Sequence, residues 1–566
     1  MPIINLTGFD LVWAVTQNTV NSQLAWLMRE HIPRYIKMGD LDVDGMVIGG
    51  APGTADEARL KLPTPASPMV DFDTGQAKLA RLFLTLDSGT ITTWTGFGHN
   101  ATEVKYNVAG TRIAFKVNMN LGQVAHEELG KQGGVIPPTI AKILQDFDPS
   151  MFSIQSIFLD FQNSDLTTFD ELNSNLVFTG PPGSDPSALA FIKENFGKMM
   201  GAWISQFKGT ENPFILGYPV ARQTRSEDIR SVLQPTGANL STHSWQSAQT
   251  VIDPLTAGMS TLNFLLVTGG KKITDDPKYS APDAGVFHRN LVTTNDIDGK
   301  GIIARELFMG EYLQKSLINP MLAKIKAMGD YRNARMDTVD DGRTLTTNDL
   351  TDGFVATTDG WHYDDHVVVH WESDANIIHR RDSEQHMSFD VKMSMAPDRD
   401  PAMQGASRLT LAVTATLLRY EKDEARQRWP GLPSTYYYDV SATAQLQWNM
   451  TIQFVAGTDG KINVKFYHQI NDPVKSHTTS KLIDFADTFS SLFGAHTISD
   501  DWDSNANSML SEENGIATSV ISNTQAVLDN LALLVVLPAP SQFFYKNIVL
   551  NDDGDIEVDL AYKSQG

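Results

Sequence analysis

The chain contains no cysteine. Disulfides, thiolate metal sites and cysteine nucleophiles are therefore excluded, and the redox compartment stays open. Basic residues are scarce relative to acidic ones: 45 Lys and Arg against 67 Asp and Glu in 566 residues, a formal net charge of −22. Such a balance argues against nucleic acid, whose phosphates demand basic patches, and opposes unaided adsorption to anionic membranes. Long hydrophobic runs are missing as well. The longest, Leu531 to Leu537, is too short to span a bilayer and reads as a buried strand. The N-terminal residues carry neither a basic region nor an apolar core of the secretory kind, so the expectation is a protein that is cytoplasmic when made, without a classical signal peptide.

What is present is β-pattern. The hydrophobic content of 41% suffices for a core, and the length gives a prior of about three to five domains, fewer if the architecture is elongated. Between Ala444 and Ile470 the sequence writes one long two-faced hairpin. Leu446, Trp448, Met450, Ile452 and Phe454 alternate with polar residues, the turn Gly457–Lys461 reverses the chain, and Ile462, Val464, Phe466, His468 and Ile470 alternate again. Period-two patterning gives each arm one apolar and one polar face, and an apolar sheet face needs a cover. Further alternating strands run through Val104–Leu121, Met387–Met395 and Leu409–Leu417, the last matched in pattern by Tyr436, Tyr438 and Val440. The chain closes with Phe543–Leu550, a turn at Asn551–Gly554, and Ile556–Tyr562. These are antiparallel signals rather than βαβ spacing.

A few helices stand against this background. Residues 186–208 are the clearest, with Asp185 to cap, Pro186 in the first turn, Gly209 beyond the end, and one apolar stripe of Leu189, Ile192, Phe196, Met199, Trp203 and Phe207. Others are expected at 17–30, at about 303–328 with a kink at Pro320, at 481–493, and at roughly 505–530. Phe9–Val15 leads into one helix and Gly301–Ile303 into another. That similarity suggests two halves joined near the polar, turn-rich 285–300, with 328–360 a long loop.

Motifs for chemistry are weighed against plainer readings. His362, His366, His370, His379 and His386 cluster with Asp364, Asp365 and Asp382. Spacing of four would place three histidines on one helix face as metal ligands. The adjoining Val367–Val369 and Trp371 favour a strand instead, with a turn at 362–365. Asp40–Gly45 copies half of a calcium loop, but Ala51 stands where the bidentate glutamate is needed. Gly49–Thr54 and Gly269–Lys272 lack the framing of a phosphate loop, and no Gly-x-Ser-x-Gly elbow occurs. Lys422, Arg426 and Arg428 interleave with Glu421, Asp423 and Glu424 in a mixed-charge connector, a solvated face. None of these motifs demands catalysis, a cofactor or a metal.

Several segments, in order, resemble a known family. They are Gly8–Val15 with Asn18–Leu24, Phe158–Asn163, Ile215–Tyr218, Ser260–Leu265, Arg305–Phe308 with Leu317–Pro320, and Phe544–Asn547 with Asp559–Tyr562. The set is similar to the OrfX and forty-seven-kilodalton accessory proteins of botulinum neurotoxin gene clusters, within the tubular lipid-binding (TULIP) superfamily. The likeness does not extend over about 330–400. It implies an elongated α+β fold in two modules, 1–295 and 296–566, with long curved antiparallel sheets wrapped around long helices. It also implies a non-enzymatic accessory role, with toxin-cluster proteins, lipid or phosphoinositide as partners; relatives occur in insecticidal toxin loci. If lipid is bound, the expected walls are the helix positions Leu189, Ile192, Phe196, Met199, Trp203 and Phe207 and the hairpin positions Trp448, Met450, Ile452, Phe454, Ile462, Val464 and Phe466. The alternatives are a structural toxin subunit or scaffold with a closed core, and a metal-dependent hydrolase using His362, His366, His370 and Asp365.

Overall fold

The structure is a computed structural model. It describes residues 6–36, 45–95, 99, 101–131, 134–162, 170–207, 212–223, 226, 228, 231–246, 257–320, 355–356, 360–372, 380–398, 406–426, 435–457, 461–470, 474–479, 520, 523–526, 528, 534–551 and 555–564. The chain divides into two compact units. The first comprises Met1–Phe308, Ala456–Lys461 and Val527–Gly566, the second Met309–Val455 and Ile462–Ala526.

With strands numbered along the whole chain, the first unit opens with β1 (Leu11–Thr16) and α1 (Gln17–Glu30). There follow β2 (Tyr35–Ile36), β3 (Met46–Ile48), β4 (Ala58–Leu60), β5 (Val70–Asp71), β6 (Leu79–Ser88), β7 (Thr90–Thr95), β8 (Thr102–Asn107) and β9 (Arg112–Val124). After α2 (Pro138–Gln145) come β10 (Phe152–Asp160), α3 (Pro186–Ile204), β11 (Ile215–Arg222), β12 (Gly237–His243), β13 (Thr261–Val267) and β14 (Gly299–Ile303). The second unit holds β15 (Val355–Ala356), β16 (Gly360–Glu372), β17 (Arg380–Asp398), β18 (Ala406–Arg426), β19 (Thr435–Ala456), β20 (Ile462–Ile470) and β21 (Val474–Thr479). The chain then returns to the first with β22 (Val535–Val536), β23 (Ser541–Leu550) and β24 (Ile556–Ser564).

In the first unit β12-β13-β1-β14-β24-β23 form a six-stranded sheet, β2-β4-β6-β9-β10-β11-β22 with β5 an eight-stranded one, and β3-β7-β8 a small third. β1 lies between β13 and β14, antiparallel to both, with Trp13 opposite Phe264 on one side and Gly301 on the other. A Cβ on Gly301 would meet the Trp13 ring at 2.9 Å, so glycine lets the indole lie across the neighbouring strand. The two larger sheets touch where Phe264 of β13 reaches Gly217 of β11, whose added Cβ would sit 2.5 Å from the ring.

α1 is wedged between these sheets, touching β1 and β13 of one and β5 and β11 of the other. Thr16 caps it by accepting from the Thr19 N–H. Its polar residues are buried too, and each satisfies backbone. Asn21 accepts from Met69 N (2.7 Å) and Val70 N (2.9 Å) and donates to Val70 O (2.8 Å). Gln17 accepts from Phe72 N and Gln23 from Ala539 N, both at 2.8 Å. The amides stand in for a missing strand edge, and burial of so many polar groups is tolerable because all are paired.

In the second unit β15-β16-β17-β18-β19-β20 form an antiparallel meander, with β21 also on β19. The predicted hairpin is β19–β20, closed by Gly457 N to Lys461 O. The α+β class with antiparallel sheets stands as the sequence implies, as do α1, α3 and the C-terminal hairpin β23–β24.

Other expectations are corrected. Leu409–Leu417 does not pair with Tyr436–Val440, because both 436–440 and 446–454 belong to the single strand β19. Leu409 stands opposite Ile452, Leu411 opposite Met450 and Val413 opposite Trp448. The charged stretch Glu421–Arg426 is the end of β18, not a connector. Residues 362–365 continue β16 instead of turning, which also removes the helix-face arrangement of His362, His366 and His370. Ile303 ends a strand, and the helix that follows is a π-helix, Glu306–Ile318. α3 ends at Ile204, and among the described residues of the last apolar run strand pairing is at Val535–Val536. Val355–Ala356 is a strand within the stretch expected to be loop. Asp40–Asp44, Arg428, the 481–493 helix and most of 505–530 lie outside the described residues.

Candidate apolar-ligand site

The thirteen candidate wall positions divide between the units. Five lie on α3 in the first and a sixth, Phe207, just beyond its end; seven lie on the β19–β20 hairpin in the second. α3 starts where its sequence dictates: the Asp185 carboxylate accepts from Ser187 N at 2.9 Å, and Pro186 occupies the first turn. Of its stripe, Ile192, Phe196, Met199 and Trp203 are buried, while Leu189 and Phe207 are half-buried. Their neighbours are the protein's own rings. Phe178 meets Phe196 edge-on at 5.3 Å, Trp203 meets Phe207 at 5.0 Å, Phe207 meets Phe214 at 5.6 Å, and Phe214 meets Phe161 at 5.3 Å. Edge-to-face rings in a row are a packed interior.

On the hairpin, Ile452, Phe454 and Ile462 are buried and Val464 is half-buried. Trp448 and Met450 lie on β19 opposite Val413 and Leu411, and Phe466 lies on β20. The edge of β20 is clasped by a helical residue: Gln525 accepts from Val464 N (2.9 Å) and donates to Ile462 O (2.5 Å). One turn of the same helix offers Thr524, whose hydroxyl bonds Tyr312 of the 306–318 helix at 2.8 Å. Burial pushes the Tyr312 phenol up to about 12. The turn end of the hairpin's apolar face is thus inside the protein.

Two polar residues without an assigned role emerge only from the fold. Tyr218 of β11 is fully buried among Leu129, Ile140, Leu144, Ile154 and Val536, under α2. Its hydroxyl finds no partner among the described residues, and burial drives its titration far above the ordinary phenol value. A tyrosine in the apolar run Ile215–Tyr218 was the available signal. Arg112 opens β9 with its guanidinium 3.5 Å from the Phe83 ring centroid. No local pattern announces this contact, because it depends on the pairing of β6 with β9.

The histidine stretch lies on two paired strands. His366 stands opposite His386, His370 opposite Asp382 and His362 opposite Asp390, while His379 lies outside the described residues. Among the described residues no group of three or more His, Asp or Glu could hold a metal ion. No described helix is long and apolar enough to cross a membrane.

No protein-family model matches the chain. A search of curated proteins finds no match either. Among solved structures it is similar to P47 from Clostridium botulinum A2, with 12% identity and a TM-score of 0.40 over 99% of this chain and 98% of that one. It is similar to lipopolysaccharide binding protein with 10% identity and a TM-score of 0.26 over 99% and 100%.

Proposed function

We propose that this chain is a non-enzymatic, TULIP-like accessory protein that binds a lipid or other apolar ligand, toxin-cluster protein partners, or both. The observation that supports this reading is the pairing of β18 with β19. These strands have 21 and 22 residues, against a usual length of about 5–6. At about 3.3 Å per residue each spans roughly 70 Å. Their register aligns the apolar positions Leu409, Leu411, Val413 and Ala415 with Ile452, Met450, Trp448 and Leu446. Those aligned positions cover seven residues of each strand, roughly 23 Å, an apolar patch that needs a cover, and an acyl chain is one cover of matching chemistry. The ordered family segments agree with it.

Lipid extraction and native mass spectrometry of the purified full chain test the proposal. Co-purified or loadable lipid in stoichiometric amount is the expected result. Clean absence of both would remove the carrier reading. The second reading is a scaffold with a closed core. It is supported by the buried Ile452, Phe454 and Ile462 and by the ring contacts along α3. Co-purification with products of neighbouring genes, without bound lipid, would favour it.

A further inference from the structure

Among the described residues of the first unit, Arg112 has a buried guanidinium nitrogen without a hydrogen-bond partner and no ion pair. On the eight-stranded sheet, β6 and β9 pair so that Arg81 stands opposite Lys116, Phe83 opposite Ala114 and Thr85 opposite Arg112. Two carboxylates lie close by, and both are committed to Arg81: Asp71 at 2.6 Å and Asp170 at 3.1 Å. Arg112 has neither. Its guanidinium lies over Phe83, a ring only 6% exposed, and its Nε is buried without a hydrogen-bond partner among the described residues. Burial holds the group below the usual guanidinium range, Asp71 working against that shift and Arg81 adding to it. Both ion pairs go to Arg81, so Arg112 is left without one among the described residues, on a chain whose net charge is −22.

The geometry presents that charge. The cation–π contact holds the guanidinium over the Phe83 ring, and Phe83 stands opposite Ala114, two residues from Lys116 along β9, or roughly 7 Å. Lys116 is exposed and has no ion pair among the described residues. Its charge reaches the same place: burial alone would raise the Asp170 carboxyl, but hydrogen bonds from Asn173 and Arg81 and the charges of Arg81 and Lys116 bring it below the usual range. A guanidinium fork with an ammonium beside it matches a tetrahedral dianion, whereas a single carboxylate would leave one cation unanswered.

We infer that Arg112, stacked on Phe83 and flanked by Lys116, is a binding site for a phosphate oxyanion, either free or carried on a lipid headgroup. The neighbouring turn favours the headgroup source. Glu171–Asn173 rests on the edge of β9, tied by Asp170 N to Ala114 O and by the reciprocal bonds of Asn175 with Arg112. It holds Leu172 out at 98% exposure, positioned to enter an interface once the charge is docked.

The site is separate from the apolar-ligand reading, and inorganic phosphate, which has no acyl chain, tests it alone. Calorimetric titration of the full chain with inorganic phosphate, and flotation with phosphatidylcholine vesicles with and without phosphatidic acid, are compared for wild type, R112Q, R112M and L172D. R112M keeps the apolar stem against Phe83, so an unchanged melting curve separates binding from packing. The expected result is loss of binding by on the order of tenfold or more in both Arg112 variants. Weaker flotation of L172D with phosphate binding intact identifies a headgroup. Phosphate binding without flotation identifies the free anion. The site is overturned if wild type binds neither probe, or if R112Q and R112M bind as wild type does.

Discussion

The six-stranded sheet of the first unit and the seven-stranded sheet of the second cover themselves in different ways. In the first, strands of five to ten residues are sealed by polar side chains that grip backbone. On the face that pairs Ser241 with Asn263, Asn239 donates to Tyr279 O (2.5 Å), Ser241 to Gly285 O (2.8 Å) and Asn263 to Ser241 (3.2 Å). α1 does the same for β5 through Asn21. In the second, strands reach 22 residues, and the described clasp is one glutamine on the edge of β20. Directional bonds specify a unique cover in the first sheet. In the second, Leu409, Ile452, Phe454 and Ile462 are among the described buried side chains, and their apolar burial is non-directional.

Three substitutions test that contrast. Asn21→Ala has the largest expected effect, because it strands Met69 N, Val70 N and Val70 O in the interior. At about 1–3 kcal/mol per orphaned group, the loss should reach about 3 kcal/mol or more in urea denaturation. A loss below about 1 kcal/mol would mean that the first sheet is not held by these bonds. Gln525→Ala should cost less, about 1 kcal/mol, because the edge of β20 can turn to water instead. Hydrogen exchange should show the Val464 amide losing protection, and unchanged protection would mean the clasp is not made.

The smallest effect is expected from His243→Asn, read as pH dependence. Burial lowers the His243 value below that of free imidazole, bonds to Asn290 and Phe287 partly oppose this, and His288 adds to it. The native state therefore binds the proton less readily than the unfolded chain does. The contribution is whole above about pH 6.5 and is lost as pH falls from there through the lower native value. The variant should flatten that segment of the stability curve, and an unaltered slope would show that His243 does not couple to folding.

Much of the local structure was legible in sequence. Capping by Asp185 and Pro186, the α3 stripe, and the hairpins around Gly457–Lys461 and Asn551–Gly554 depend on neighbours within a few residues. Strand order did not, since β1 pairs with β13 and β14, more than 240 residues away. The histidines were ambiguous because spacing four fits both a helix face and an even step along a strand; only pairing with β17 decides it. For the candidate site, the α3 positions were visible, but Phe161, Phe178 and Phe214, which fill their surroundings, are not marked by any local period. Arg112 stayed hidden for the same reason.

The position of β1 also sets a schedule. Its six residues, Leu11–Thr16, are all buried, and the sheet around it continues through Gly301 of β14 to Val558 of β24. At a synthesis rate of about 5–20 residues per second, the interval between making the first of these strands and the last is on the order of a minute. Throughout it this wholly buried strand has no complete sheet to join. Loop closure over such separations is slow, so the nascent chain must be kept from pairing β1 with the wrong edge until its final strands emerge.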